Sequence, residues 1–160
     1  MRARHSGRDR IVLEFSNAEC VLLASLTDEL LALLDERDTV PPGMPSDPAV
    51  LRLLPDAYRQ DAEAAAEFRR FTQDELITAK RADARAIADA ARAGNEVALD
   101  RASAIPWLRS LTDLRLVLAD RLGIQNDGDE GDDSPEAEPA QQVYLWLGNL
   151  QGWILETLQH

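Results

Sequence analysis

The sequence predicts a mainly α fold, a helical bundle of about five or six helices that also allows a small two-stranded antiparallel sheet. Three observations carry that expectation. Apolar residues recur at three- and four-residue spacing over several long stretches. Residues that start and stop helices bracket those stretches. Only two short segments, 10–15 and 96–100, are rich in β-formers or alternate between apolar and polar residues. The chain has 160 residues, 45% hydrophobic and 29% charged. That is the size of one domain, 1–160, able to bury a core without disulfides or metal.

The elements follow in order. Residues 1–9, with Arg2, Arg4 and Arg8, read as a flexible basic arm. Residues 10–15 read as a strand. Ser16 and Glu19 make a capping box, opening a helix over about 17–36 whose stripe is Val21, Leu22, Leu26, Leu30, Leu33 and Leu34. Residues 39–47 hold Pro41, Pro42, Gly43 and Pro45 and read as a Pro-rich loop. Asp47-Pro48 starts a short helix that Pro55 stops. Asp61 caps a helix through Phe71. A second capping box, Thr72 to Glu75, begins a new helix or a kink that runs to Arg92, with Gly94 as a left-handed stop. The stripe there is thin: Leu76, Ala79, Asp83, Ile87 and Ala90.

Residues 96–100 would pair with 10–15, because a lone strand leaves its backbone groups unpaired. A helix over about 103–122 presents Ile105, Leu108, Leu111, Leu114, Val117, Leu118 and Leu122, and Gly123 ends it. Residues 125–139 contain seven acidic residues and no basic one. Such a segment cannot bury enough surface to offset its ordering entropy, so a disordered acidic loop is expected. The last helix, about 141–158, carries Val143, Trp146, Leu147, Leu150, Trp153, Ile154 and Leu158 on a broad face that must dock on something.

Charge and composition exclude several function classes. Seventeen basic against 29 acidic residues give a net charge of −12. A field of that sign repels phosphate and anionic lipid, which disfavours direct nucleic-acid binding. Lys80 is the only lysine; Arg and Ala are abundant, as in a high-GC genome. Cys20 is the only cysteine, so no internal disulfide can form. No apolar run reaches the roughly 20 residues of a transmembrane helix, and no signal-peptide pattern is present. The expected location is cytoplasmic, with no membrane partner.

No catalytic constellation is legible, and no cofactor or metal site is implied. His5 and His160 are the only histidines, and neither lies near another soft ligand in sequence. Asp127, Asp129, Asp132 and Asp133 resemble a calcium loop only superficially: the twelfth position counted from Asp129 is Ala140. No nucleophile elbow, base for a Ser or Cys, or Gly-rich phosphate loop occurs. Cys20, near a helix start, is a candidate redox thiol, although a buried small hydrophobe is the commoner role. Arg115 borders the apolar stripe of its helix; it is a candidate partner contact, or a snorkelling Arg paired with a carboxylate such as Asp113. Trp107, Trp146 and Trp153 are candidate partner contacts if exposed and core residues if not.

Several stretches together carry a resemblance: Leu53 to Arg59, Glu63 to Thr72, Trp107 to Leu116, Arg121 to Ile124, and Tyr144 to Gln151. In this order the chain resembles, over nearly its whole length, an actinobacterial domain-of-unknown-function family that includes an AosR-type oxidative-stress transcriptional regulator. The resemblance implies a cytoplasmic, non-enzymatic regulator acting through a protein partner such as a sigma factor or RNA polymerase. A redox version of that mechanism relies on a cysteine pair, from which Cys20 alone departs. Two rivals remain: a homodimeric interaction module, and an enzyme whose site is built from scattered Asp, Glu and Arg.

Overall fold

The computed structural model describes residues 1–39, 48–54, 64–125, 129 and 131–159. Among these residues, three strands and five α-helices follow one another as β1 (Arg2–His5), β2 (Arg10–Glu14), α1 (Asn17–Thr39), α2 (Pro48–Leu53), α3 (Ala64–Ala93), β3 (Glu96–Asp100), α4 (Arg101–Leu122) and α5 (Glu138–Gln159). The protein is mainly α, as expected. Of the Pro-rich loop expected at 39–47, Thr39 is the last residue of α1 and the rest lies outside the described residues, as do Asp61 and residues 126–128 and 130 of the acidic segment.

The sheet differs from expectation by one strand. Its order is β1-β2-β3, antiparallel throughout, with β2 in the middle. Strand β2 pairs with β3 as anticipated, Val12 opposite Ala98. It also pairs with β1, Arg4 opposite Val12, so residues 2–5 form a strand where a flexible arm was expected. Two things hold that arm. The backbone ladder satisfies the open edge of β2. Arg4 then reaches across the outer face to Glu14 at 3.4 Å and Glu96 at 3.0 Å. The alternation places Ile11 and Leu13 of β2, with Val97 and Leu99 of β3, on the inner face. Val12 is also buried, on the face that Arg4 crosses.

Asn95 locks the junction between sheet and first helix. Its amide nitrogen donates to the Phe15 carbonyl at 3.0 Å and to Asn17 Oδ1 at 2.8 Å, while the Phe15 N–H donates to the Asn95 carbonyl at 2.7 Å. The first capping box forms as read: Ser16 Oγ accepts from the Glu19 N–H at 3.1 Å, and Glu19 accepts from the Ser16 N–H at 2.9 Å. The buried face of α1 is rotated from the expected stripe. Cys20, Leu23, Thr27, Leu30, Leu33 and Leu34 are buried, whereas Val21 is 66% exposed. Thr27 can occupy that face because its hydroxyl donates to the Leu23 and Ala24 carbonyls.

Helix α3 is continuous from Ala64 to Ala93; the second capping-box pattern lies inside it and starts nothing. A capping box is two side-chain bonds, and an uninterrupted run of i to i−4 backbone bonds outweighs it. Gly94 follows the helix without a left-handed backbone, also against expectation. Helix α4 begins two residues early because Asp100, the last residue of β3, is itself the N-cap. It keeps an extended conformation, accepts from the Ser103 N–H at 2.8 Å, and donates its own N–H to Ser103 Oγ at 2.9 Å in return. That cap offsets part of the loss at Pro106, whose ring removes one helical donor. Gly123 ends α4 at φ +72°, as read. Helix α5 starts at Glu138, after a 3₁₀ turn over Pro135–Ala137, so the end of the expected acidic loop is helical.

Helix α4 is central. It packs on α3, α5 and α2, while α1 packs chiefly on α3. Leu111, Leu114 and Val117 of α4 meet Leu147, Leu150 and Ile154 of α5 in one core with Leu23, Leu30 and Leu34 of α1. Leu111 is fully buried. Its replacement by Ala removes three heavy atoms from a filled core and should destabilise the fold by about 2–5 kcal/mol. Val21→Ala, on the exposed side of α1, should stay within about 0.5 kcal/mol. Urea unfolding of the two variants checks this; equal losses would contradict the packing described.

Candidate functional site

The described residues contain one groove lined by paired charges, between α3 and α4. Its lining is Leu76, Ala79, Lys80 and Asp83 from α3, with Arg109, Thr112 and Asp113 from α4, around a volume of about 340 Å³. Helical spacing explains how it assembles. Residues three or four apart share a face, so Lys80 and Asp83 project together, as do Arg109 and Asp113. Packing α3 against α4 then brings opposite charges across. Lys80 Nζ donates to Asp113 Oδ1 at 2.7 Å. Arg109 makes a two-pronged contact with Asp83, Nε to Oδ2 and Nη2 to Oδ1, both at 2.9 Å.

The two carboxylates differ in surroundings. Asp113 is 3% exposed, and its second oxygen, Oδ2, is buried without a hydrogen-bond partner. Burial pushes its carboxyl above the ordinary range; Lys80 pulls the other way, and the negative charge of Asp83 adds to the rise. Asp83 is buried too, but both of its oxygens are occupied by Arg109. The Thr112 hydroxyl is committed: it donates to the Leu108 carbonyl at 2.9 Å and accepts from Gln151 Nε2 at 2.7 Å. The groove therefore offers charge and hydrogen-bonding capacity, with no activated nucleophile. Sequence reading missed it, although two signals were present: Asp83 is a charged residue inside an apolar stripe, and Lys80 is the sole lysine.

The residues singled out from sequence fall elsewhere and do not converge. Trp107 is 2% exposed and stacks on Phe15, ring centroids 6.2 Å apart at 13°. Trp146 is half-buried and meets the same Phe15 edge-on at 6.3 Å. Trp153, at 37%, presents accessible surface near the end of α5. Arg115 lies between α4 and α5. Its guanidinium sits 4.6 Å from the Tyr144 ring centroid and donates to Gln151 Oε1 at 3.0 Å. Its partners are thus an aromatic face and an amide, since Asp113 is held by Lys80. The α5 backbone at Gly148 passes close beside it: a β-carbon there would touch the guanidinium at 3.5 Å, an ordinary contact distance.

Cys20 is buried. Its thiol donates to the Gly94 carbonyl at 3.6 Å and accepts from the Asn95 amide at 3.8 Å. His5 is exposed on β1. Among the described residues no group of His, Cys, Asp or Glu is placed to hold a metal ion. Nor is any helix long and apolar enough to cross a membrane.

Two outcomes follow. A carboxyl whose pKa is raised by folding destabilises the native state when ionised, and this loss disappears as pH falls from its raised pKa toward the ordinary 3.8. Asp113→Asn cannot titrate. Wild type should therefore gain melting temperature relative to Asp113→Asn as pH is lowered from 7 toward 4; a pH-independent difference would contradict the raised pKa. For Cys20, an aromatic disulfide reagent should label the native thiol far more slowly than the urea-unfolded thiol. Equal rates would contradict its burial.

The chain is 30% identical to proteins named "Oxidative stress regulator AosR" from Mycobacterium tuberculosis and Mycobacterium bovis, covering 88% of this chain and 78% of theirs. A "Putative oxidative stress regulator AosR" from Mycobacterium leprae is 31% identical over the same shares. No solved structure matches the chain. Residues 1–158 match the family described as "Domain of unknown function (DUF2017)". With that match over nearly its whole length, and with those relatives, the chain belongs to the DUF2017 family.

Proposed function

We propose that this protein is a non-enzymatic, cytoplasmic regulator of the oxidative-stress response that acts by binding a protein partner, such as a sigma factor or RNA polymerase. The observation that carries the reading is the likeness to mycobacterial proteins named oxidative stress regulators over 88% of the chain. The groove supports the non-enzymatic part, since its hydroxyl is engaged by the Leu108 carbonyl and the Gln151 amide, and one of its two carboxylates by Arg109. The net charge of −12 favours a protein partner over DNA.

The contact surface in this reading is the outer side of α5 with the adjoining part of α4. It carries Trp153, Leu145 and Leu155, which remain exposed, and Arg115 at the seam. Trp107 contributes from within, by stiffening the junction of α4 with Phe15. Cys20 enters only if the core around Gly94 opens, and a lone thiol would then form an intermolecular bridge. A homodimer is the second reading, favoured by the same exposed α5 residues. Leu145 lies eight positions from Trp153, roughly 12 Å along the axis, so the apolar surface is spread out, which weighs against a large obligate interface.

Immobilised protein should capture purified RNA polymerase holoenzyme or a free sigma factor from the same organism. Trp153→Ala should weaken that capture by about tenfold or more, as expected of an exposed aromatic anchor. Deletion of the gene should alter survival under peroxide. Absence of binding to any sigma factor or polymerase, with an unchanged peroxide response, would overturn the proposal. A stable dimer in light scattering that Trp153→Ala dissolves would favour the second reading.

A further inference from the structure

We propose that the outer edge of β1 takes up an extended segment of a protein partner as a fourth strand, with a lysine or arginine of that segment seated beside Trp153 and Glu156. This rests on the regulator reading only in supposing a protein partner, and it names how that partner is gripped. The hairpin ladder decides which backbone groups are left over. The Ser6 N–H donates to the Arg10 carbonyl at 2.8 Å, which makes those two residues a hydrogen-bonded pair. Such pairs alternate along an antiparallel ladder, so Arg4 opposite Val12 and Arg2 opposite Glu14 also face β2 with their backbone groups. Ala3 and His5 therefore turn their N–H and C=O groups away from the sheet. Every residue of β1 is exposed, and β1 is the last strand on its side. Four unpaired backbone groups on an open edge are a template for another strand.

Charged side chains commonly guard such an edge. Here the Arg4 side chain is drawn back over β2 to Glu14 and Glu96, away from the edge. At the opposite edge, the outward residues of β3 include Glu96 and Asp100, and the Asp100 N–H is taken by Ser103 Oγ. Beside the β1 edge lies a cleft between Ala3 and His5, on the inner face of the sheet, and the end of α5. Its volume of about 160 Å³ suits one long side chain rather than a cofactor. Trp153 and Glu156, three residues apart on α5, share the face that lines it. Trp153 is 37% exposed. Glu156 is exposed too, and its carboxylate has no ion pair or hydrogen bond among the described residues. An added strand points alternate side chains toward this cleft. A cation there meets the indole and the unpaired carboxylate together, whereas an acidic side chain is repelled by Glu156. The net charge of −12 attracts a basic segment as well. A second copy of β1, laid antiparallel with Ala3 opposite His5, would set Arg4 against Arg4, like charges face to face.

The test is selection of peptides from a displayed library of random segments of about eight residues, the length of an ordinary strand, on the purified full chain. Enriched peptides should share a Lys or Arg among alternating β-formers. A synthetic copy of the leading peptide should protect the Ala3 and His5 amides from hydrogen exchange. Ala3→Pro and His5→Pro each remove one outward N–H that the β1–β2 ladder does not use, so both variants should fold, as circular dichroism checks. Each should weaken the peptide by about tenfold or more. Glu156→Lys should weaken it by about threefold or more. Failure to enrich any peptide would overturn the proposal, as would peptides that bind wild type and both proline variants equally. A dimer in light scattering that both proline variants dissolve would assign the edge to a second copy and overturn the choice of a foreign strand. Uptake of such peptides by a chain that binds no sigma factor or polymerase would leave the edge site standing and remove the regulator reading. Capture of polymerase undiminished by either proline variant would do the reverse.

Discussion

The backbone pairing of β2 with β3 constrains everything else in this structure. It joins residues 10–14 to residues 96–100, so α1, α2 and α3 must leave the sheet and return to it within one connection. Strand β2 has no free edge and is buried at Ile11, Val12 and Leu13. Breaking its ladder would strand backbone donors and acceptors away from water. Asn95 tightens the closure by tying the residue before β3 to the residue after β2. Because Asp100 ends β3 and caps α4 at once, the direction of the strand fixes the direction of the central helix with no intervening loop. The positions of Trp107, Arg109, Asp113 and Arg115 all follow from that single junction.

The two ion pairs between α3 and α4 are better understood as positioning devices than as sources of stability. Burying a carboxylate is costly, and an attraction to one lysine seldom more than offsets the loss of hydration. Asp113 shows the imbalance directly, with one oxygen paired and the other without a partner. Apolar residues in place of both Lys80 and Asp113 would fill the same space without that cost. What a matched set of charges supplies is register: Lys80 with Asp113 and Arg109 with Asp83 allow only one sliding position of α3 along α4. The same set gives the groove its chemistry. At the other side of α4, Arg115 does comparable work with Tyr144 and Gln151, holding α5 through contacts that need no carboxylate.

Much of the fold was legible because its signals are local. The Ser16–Glu19 capping box, the separate strand patterns of β2 and β3, the stop at Gly123 and the aromatic last helix all depend on a few neighbouring residues. Strand β1 was not legible. Arg2-Ala-Arg-His5 has no strand pattern of its own, and it becomes a strand by completing the edge of β2 and by the reach of Arg4 to Glu14 and Glu96. The second capping box misled for the opposite reason, since a local signal was overridden by a continuous helix. The phase of α1 was misjudged because Val21 and Leu22 looked as apolar as the residues that are actually buried. The groove was illegible because its four charges come from positions 80, 83, 109 and 113, and only the α3–α4 contact brings them together. Asp83 in an apolar stripe and Lys80 as the sole lysine were its only traces in the sequence.

The account stands on the sheet and α4 forming one cooperative unit that fixes the surfaces on either side. Native-state hydrogen exchange measures this most directly. Amides of Ile11, Leu13, Val97 and Leu99 should exchange only through global unfolding, with the same free energy as amides near Leu111 in α4 and Leu150 in α5. If the sheet amides instead exchanged through local opening, at clearly lower free energy than those helices, the sheet would be an appendage. The β2–β3 closure could not then be what sets the geometry of the helices and their sites.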